Sequence, residues 1–351
     1  MNLCNFNIII LLITCYHRVC DLFNNYVMGD DFFIMSNSKT KVAIIGAGFV
    51  GASTAFAMAL QQNASEIVLI DVNKEKALGE ALDINHGLCF IGQMAVYAGD
   101  YSDISDCDVI VMTAGMNRKP GETRLDLARK NVVVAKEITA NIMKYYTRGV
   151  ILVVANPVDI LTYCIQKWSG LPNGRVFGSG TALDSARFRF SLADKFNVDV
   201  RNVHGYIVGE HGDTQIPLWS ATHVAGMNVN EYGNLHGNFF GDAEKANIHE
   251  DVKKAGATII KNKGATYYAI ALTVNTIVET LLKNQNTIRT VSSVMDGLYG
   301  IKDVAISLPS IINSTGIEKV IEFSITPEEE TLLRASADSV KSILNEVKDI
   351  I

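Results

Sequence analysis

The chain of 351 residues has no surplus of positive charge: 31 lysines and arginines stand against 37 aspartates and glutamates, a formal net charge of −6. A nucleic-acid partner is therefore not expected, and without a basic tract neither is a membrane surface. Of the six cysteines, Cys4, Cys15 and Cys20 lie near the start, and Cys89, Cys107 and Cys164 are scattered. None has metal-ligand spacing and no CxxC occurs, so no metal is expected and a reduced, cytoplasmic setting is. The apolar run IIILLIT at 8–14 is too short to span a bilayer. No Lys or Arg precedes it and no clear small-residue cleavage site follows, so it does not read as a signal peptide. Residues 1–37 are expected to be an N-terminal extension, disordered or arising from a misassigned start, with folded sequence beginning near Lys39. There is no low-complexity linker and no internal repeat beyond an alternation of strands and helices. What is present, 48% hydrophobic and 19% charged, is ordinary globular composition.

The alternation begins with KVAII (41–45), a compact buried strand. GAGFVG follows at once, with Gly46, Gly48 and Gly51 spaced GxGxxG. A helix is predicted from Ala52 to Gln62, and a second strand, EIVLID, ends at Asp71. GxGxxG alone is weak, but a preceding strand, a following helix and an acid twenty residues past Gly51 make it strong. Gly46 permits a tight turn, Gly48 lets backbone approach a pyrophosphate, and Gly51 lets the helix pack close to the strand. Asp71 can accept from both ribose hydroxyls and would repel a 2′-phosphate, so NAD is favoured over NADP. A helix at 74–85 and strands near 94–98, 108–115 and 150–157 continue the pattern, with a long helix near 124–146. Six strands with intervening helices predict a doubly wound parallel sheet of the Rossmann type. The strand ends at Gly115 and Asn156 should face the nicotinamide.

Between Gly115 and the long helix runs MNRKPGETRLDL, a polar loop with Arg118, Lys119 and Arg124. It reads as a lid bringing cations over a bound anion. Residues 181–190, TALDSARFRF, read as a helix start with Thr181 as cap. Asp184 and Arg187, three apart, share a face, and Arg189 must point elsewhere. Tyr206, Ile207 and Val208 form a strand that stops at GEHGD, delivering His211 into a tight loop between Gly209 and Gly212. Helices are expected near 242–262, 266–284 and 327–348, and antiparallel strands within 288–325. The last helix carries Leu332, Leu333, Val340, Ile343 and Leu344 at helical spacing, a packing face.

Interconverting a 2-keto acid and a 2-hydroxy acid needs a hydride from the nicotinamide and a proton for the carbonyl oxygen, which a histidinium can donate at neutral pH. A buried carboxylate would keep that imidazolium charged. The substrate carboxylate wants a forked guanidinium, and the developing alkoxide a further cation. His211, Asp184, Arg187 and Arg124 fit these roles in turn.

Through GAGFVG, TAGxNRKPGETRLDL, NPVD, LDSARFR and GEHGDTQIPLWS the chain resembles the lactate/malate dehydrogenases, from Lys41 nearly to the end. The resemblance implies that His211 is the proton donor and acceptor, Asp184 its partner, Arg187 the carboxylate ligand and Arg124 the carbonyl polariser. It implies that Asn156 touches substrate and cofactor, with a cis bond before Pro157, and that Thr266 lines the substrate pocket. Val50, Lys76, Tyr101, Gly115, Met116 and Val154 join Gly46, Gly48, Gly51, Asp71 and Asn156 as expected NAD contacts. The expected layout is an NAD-binding domain at 38–179 and a C-terminal α+β substrate domain at 180–351, assembled as a homotetramer.

Within the family the lid position at Arg118 decides the substrate. Arginine there is the usual malate mark, since it can pair with a second carboxylate. Over pyruvate's methyl it would sit unpaired in a dry site, at a cost of several kcal/mol. Glu122 and Thr266 resemble the lactate form instead. Arg189 and His204 match the bisphosphate-binding positions of bacterial lactate dehydrogenases that fructose 1,6-bisphosphate activates. The wording over 204–219 and 259–291 is nearest those bacterial lactate enzymes. The expectation is therefore reduction of pyruvate to lactate, with malate dehydrogenation as the alternative. A silent NAD-binding protein would require the loss of His211, Asp184 or Arg124, and all three are present.

Overall fold

A computed structural model describes residues 39–116, 121–235 and 240–351. The expected extension at 1–37 and the lid residue Arg118 lie outside the described residues. Thr40–Ile351 forms one compact unit. Its first half runs β1 (Lys41–Ile45), α1 (Phe49–Gln61), β2 (Glu66–Ile70), α2 (Lys74–Gly87), β3 (Ala95–Ala98), β4 (Val109–Met112), α3 (Arg124–Tyr145), β5 (Val150–Val153), α4 (Val158–Ser169) and β6 (Val176–Gly178). These six strands are parallel neighbours in the order β3-β2-β1-β4-β5-β6. The order is that of the doubly wound dinucleotide folds.

The strands read as unbroken apolar runs because both faces of the sheet are covered. Ala43, Ile45, Val68 and Ile70 pack with Ala128, Val132, Ala135 and Ile142 of α3. Their alternate neighbours Val42, Ile44, Ile67 and Leu69 pack on the other side with Ala55 and Met58 of α1 and Ala77 and Ala81 of α2. Two boundaries differ from expectation. Helix α1 begins at Phe49, not Ala52, because Gly48 is already its extended N-cap. Strands β4 and β5 stop at Met112 and Val153. The residues up to Gly115 and Asn156 instead leave the ladder and run over its carboxyl edge.

The second half contains α5 (Ala182–Phe196), the short strands β7 (Val203–His204), β8 (Ile207–Val208), β9 (Ile216–Pro217), β10 (His223–Val224) and β11 (Met227–Asn228), helices α6 (Val229–Leu235), α7 (Asp242–Lys263) and α8 (Tyr268–Leu282), strands β12 (Thr287–Asp296), β13 (Lys302–Asn313) and β14 (Gly316–Val320), and α9 (Pro327–Glu346). The antiparallel strands β12–β14 do not make a separate sheet. They extend the parallel one through an antiparallel contact, Ser292 opposite Gly178 of β6, giving nine strands. Glycine at 178 also lets α4 pack close against this end of β6: a Cβ there would come within 2.4 Å of Thr162 Oγ1 and 2.7 Å of Val158 Cγ2. The sheet therefore carries both halves on one rigid support.

On α9, Leu333, Val340 and Leu344 are buried and Ile343 packs beside them. Leu332 points outward, 54% exposed. Thr181 stands at the N-cap of α5, but its hydroxyl caps nothing there. It donates to the carbonyl of Ile207 at the end that delivers the histidine loop.

Candidate active site

Above the carboxyl ends of β1, β2 and β4 lies a crevice of about 490 Å³, lined by Gly46, Gly48, Asp71, Lys76, Tyr101, Gly115 and Met116 among others. Gly46 has φ +106°, and a Cβ there would fall 2.7 Å from the Ala114 nitrogen. A Cβ at Gly51 would fall 1.9 Å from the Gly46 carbonyl oxygen, so helix and loop touch only because Gly51 lacks a side chain. Gly48 differs: no atom lies within 4 Å of where its Cβ would be, so the loop backbone faces open space. That is what an extended phosphate-bearing ligand needs for close approach. Asp71 Oδ2 accepts from the Ala47 N–H at 2.7 Å and Oδ1 from the Asn73 N–H at 2.9 Å. The carboxylate is thus pinned beside the loop and keeps further acceptor capacity for sugar hydroxyls. A dinucleotide fits this cradle. Val50 and Val154 do not line the crevice; both pack into the core beneath it.

His211 lies beyond the carboxyl end of β5, where its backbone N–H meets Asp159. Glycine 209 crosses to β13 by paired backbone bonds with Ser307, each 2.9 Å. Glu210 is buried; its N–H donates to Ser336 Oγ and its carboxylate accepts from Thr214. The loop is thereby tied at both flanks of the histidine. The His211 ring nitrogen Nδ1 lies 2.5 Å from Asp184 Oδ2, and the other oxygen of Asp184 lies 3.1 Å from Arg187 Nη1. Asp184 is 2% exposed at its side chain and His211 27%. The negative charge of Asp184 outweighs burial and raises His211 to about 9. Burial pushes Asp184 up, but His211 and Arg187 together hold it below the usual carboxylate range. In the folded protein the imidazole is therefore charged at neutral pH, with Nε2 left for another partner.

A second carboxylate, Asp159, lies beneath this pair. It is buried, accepts from the His211 backbone N–H at 2.7 Å and from Ser292 Oγ at 2.6 Å. Burial, opposed by those two donors, raises it to about 6. Sequence reasoning passed over Asp159, although it sits in NPVD beside Asn156. It also passed over Asn131, buried on α3 and two helical turns beyond Arg124. Asn131 Oδ1 accepts from the Met116 N–H at 2.7 Å, and its Nδ2 donates to the carbonyls of Met116 (3.1 Å) and Asn156 (2.6 Å). One amide thus clamps the ends of β4 and β5 together. The Asn156–Pro157 bond is cis.

Arg124 is the first residue of α3, set there by a reciprocal capping box between Thr123 and Asp126. Its side chain is half exposed and pairs with Asp213, two residues past His211, at 2.7 Å. This contact brings the arginine to the histidine loop. Thr266 lies between α7 and α8, and its neighbour Tyr267 stacks on Phe49, the first residue of α1, with centroids 5.3 Å apart. Arg189 points away from Asp184 as its spacing demands, donating to the carbonyls of Val203 (2.7 Å) and Val200 (3.3 Å). His204 is exposed on β7. Among the described residues no group of His, Cys, Asp and Glu could hold a metal, and no helix is long and apolar enough to cross a membrane. Cys107 and Cys164 are buried, and burial pushes both thiols up to about 12.

Comparison with known proteins agrees with this geometry. Residues 40–178 match the family model described as lactate/malate dehydrogenase, NAD binding domain, and residues 181–351 match the lactate/malate dehydrogenase, alpha/beta C-terminal domain. The L-lactate dehydrogenase of Thermoanaerobacter sp. (strain X514) is 51% identical over 307 residues, 88% of this chain and 99% of that relative. L-lactate dehydrogenase 1 of Clostridium acetobutylicum is 49% identical over 309 residues, again 88% and 99%. Among solved structures, the minor L-lactate dehydrogenase of Enterococcus mundtii in its ligands-bound form superposes with a TM-score of 0.85 at 42% identity, covering 88% of this chain and 98% of that one. With a dinucleotide cradle at the carboxyl edge of the sheet, a charged His–Asp–Arg chain beyond β5, and both family models matched over 40–178 and 181–351, the chain belongs to the lactate/malate dehydrogenase family.

Proposed function

We propose that this protein is an NAD-dependent L-lactate dehydrogenase that reversibly reduces pyruvate to (S)-lactate. The observation that carries the reading is the buried contact of His211 with Asp184, which keeps a proton on the imidazole at neutral pH. The bound nicotinamide would supply or take up the hydride. His211 Nε2 donates the proton to the keto oxygen in one direction and removes it from the hydroxyl in the other. Asp184 holds the ring in place and stabilises its charged form. Arg187, anchored by one nitrogen on Asp184, offers its remaining N–H groups to the substrate carboxylate. Arg124 would turn from the exposed Asp213 toward the developing oxyanion, where low dielectric strengthens its pull. Asn156 and Thr266 complete the pocket, and Gly46, Gly48, Val50, Gly51, Asp71, Lys76, Tyr101, Gly115, Met116 and Val154 form or support the NAD site. The relatives named L-lactate dehydrogenase support pyruvate as substrate.

Arg118 favours a second reading, malate dehydrogenation, because a guanidinium in the lid could pair with the extra carboxylate of oxaloacetate. Steady-state NADH oxidation with the two keto acids side by side decides between them: pyruvate is expected to give the higher kcat/KM, and a preference for oxaloacetate refutes the lactate reading. Loss of turnover with every keto acid tried would instead leave a silent NAD-binding protein. We further read Arg189 and His204 as ligands for fructose 1,6-bisphosphate, which is expected to lower the KM for pyruvate. Unchanged KM and unchanged oligomer content on adding it refute that part. The protein is read as a cytoplasmic homotetramer. Phe56 and Leu60 of α1 and Leu78 and Leu82 of α2 are each about half exposed, an apolar surface that association would cover.

A further inference from the structure

Helices α1 and α8 pack against one another. One opens on the dinucleotide cradle, the other on the turn that carries Thr266. Their far ends are fastened by amides: Asn275 of α8 donates to Gln61 Oε1 at 2.9 Å and accepts from Asn63 at 3.1 Å. Between the ends, Ala55 and Met58 of α1 share a buried cluster with Val274, Ile277 and Val278 of α8. The near ends are held differently. Phe49, the first residue of α1, stacks on Tyr267, the residue just before α8, with ring planes 22° apart. Lys263, the last residue of α7, sets its ammonium 3.6 Å from the centre of the Tyr267 ring and 3.9 Å from that of Tyr268. Phe49 is 68% exposed and Tyr268 66%, so burial adds little to this clasp. Ring and cation–π attraction remain, enough for roughly a two- to tenfold effect on an equilibrium. The clasp also joins two sites. The N–H groups at the start of α1 have no acceptor within the helix, and a phosphate of the dinucleotide would take them. Gly48, which lines the crevice, is one residue from Phe49. On the other side, Thr266 is one residue from Tyr267.

We propose that Phe49 and Tyr267 are positioning residues whose stack carries occupancy of the dinucleotide cradle to the substrate pocket, so that a filled cradle tightens binding of the 2-keto acid. The inference rests on the dehydrogenase reading, because it takes Thr266 as a substrate contact. It needs no contact between nicotinamide and substrate, since the coupling runs through the protein. A ligand on the start of α1 fixes Phe49, Phe49 fixes Tyr267, and the turn at Thr266 is held in its binding position. By linkage the keto acid must tighten the dinucleotide by the same factor.

The test uses two probes that cannot touch through a nicotinamide. ADP-ribose fills the cradle but lacks that ring, and oxamate is an unreactive amide counterpart of pyruvate. ADP-ribose binding is titrated by calorimetry with and without excess oxamate. Oxamate should tighten ADP-ribose on the wild type by about threefold or more. Phe49→Ala and Tyr267→Ala should lose most of that factor, and the double variant should lose no more than either alone. Phe49→Leu keeps apolar bulk without a ring and should behave as Phe49→Ala, while Phe49→Tyr and Tyr267→Phe should retain the coupling. ADP-ribose binding without oxamate should stay within about twofold throughout, because the cradle itself is intact. In steady state the alanine variants should raise the KM for pyruvate by about threefold or more with kcat little changed. Wild-type coupling in Phe49→Ala, Phe49→Leu and Tyr267→Ala overturns the proposal, as does absent coupling in a wild type that turns over pyruvate. A wild type that turns over no keto acid overturns the dehydrogenase reading and this link with it, an outcome told apart by the rate assay.

Discussion

Replacing Asp184 with asparagine keeps the shape of the side chain and removes its charge. The wild-type His211 titrates near 9 because of that charge first, against the opposing effect of burial. The gap from the ordinary value of about 6.5, at about 1.4 kcal/mol per pH unit, corresponds to roughly 3 kcal/mol favouring the imidazolium. In Asp184→Asn the histidine should titrate at or below about 6.5, since burial then acts with only Asp159 to oppose it. At pH 7.5 nearly all wild-type imidazole is charged, whereas about a tenth of the variant's is, so pyruvate reduction should fall at least about tenfold from protonation alone. The sign follows from which form reacts. Reduction needs the charged ring, so kcat/KM is high below the pKa and declines above it. The declining limb should move from near pH 9 to near pH 6.5 or lower, and the deficit should shrink toward pH 6. Lactate oxidation, which needs the neutral ring, should lose less at neutral pH. The assay is NADH oxidation or NAD reduction at subsaturating substrate from pH 5.5 to 9.5. A limb that stays near 9 in Asp184→Asn would refute the reasoning, because some other group would then hold the proton.

Other perturbations test the remaining parts. Arg118→Gln should widen the preference for pyruvate over oxaloacetate in kcat/KM; abolished pyruvate turnover would contradict the reading that an unpaired Arg118 costs energy over the methyl of pyruvate. Asn131→Ala leaves the Met116 N–H without its partner and should lower stability by about 1–3 kcal/mol in a denaturant titration. It should also raise the KM for NADH, because the ends of β4 and β5 part; an unchanged KM would make Asn131 purely structural. Gly48→Val should fold with a near-normal melting temperature yet bind NADH at least tenfold more weakly by fluorescence titration, since its side chain would fill open space over the loop. Gly51→Ala should instead lower the melting temperature, because its methyl has nowhere to go against the Gly46 carbonyl.

The local chemistry of the site was legible because it is written in short stretches. GxGxxG between a strand and a helix has one common physical use, and Asp184 and Arg187 at i,i+3 could be placed on one face without knowing what faced them. The direction of Arg189 away from that face followed from the same 3.6-residue period. Three acids and amides were not legible. Asp159 and Asp213 look like ordinary polar residues near a turn and a loop, and Asn131 like a polar position on an amphipathic helix. Their roles come from partners 52, 89 and 15–25 residues away, and no periodicity encodes such pairings. Leu332 and Leu333 show the limit in the other direction: adjacent leucines satisfy the same helical pattern, and only the packed sheet decides which one faces inward.

Sequence alone determined the cofactor class and the doubly wound parallel sheet of the first half, and it singled out His211, Asp184, Arg187 and Arg124 as the proposed reacting set. Each of these depends on backbone geometry over a few residues, which amino-acid type and spacing control directly. Tertiary structure alone decided that β12–β14 anneal onto β6 rather than forming their own sheet, that Asn131 joins two strand ends, and that Phe49 stacks on Tyr267. Those outcomes depend on close approach between distant segments, and so does the charge of His211 at neutral pH, which the Asp184 carboxylate maintains against the opposing effect of burial.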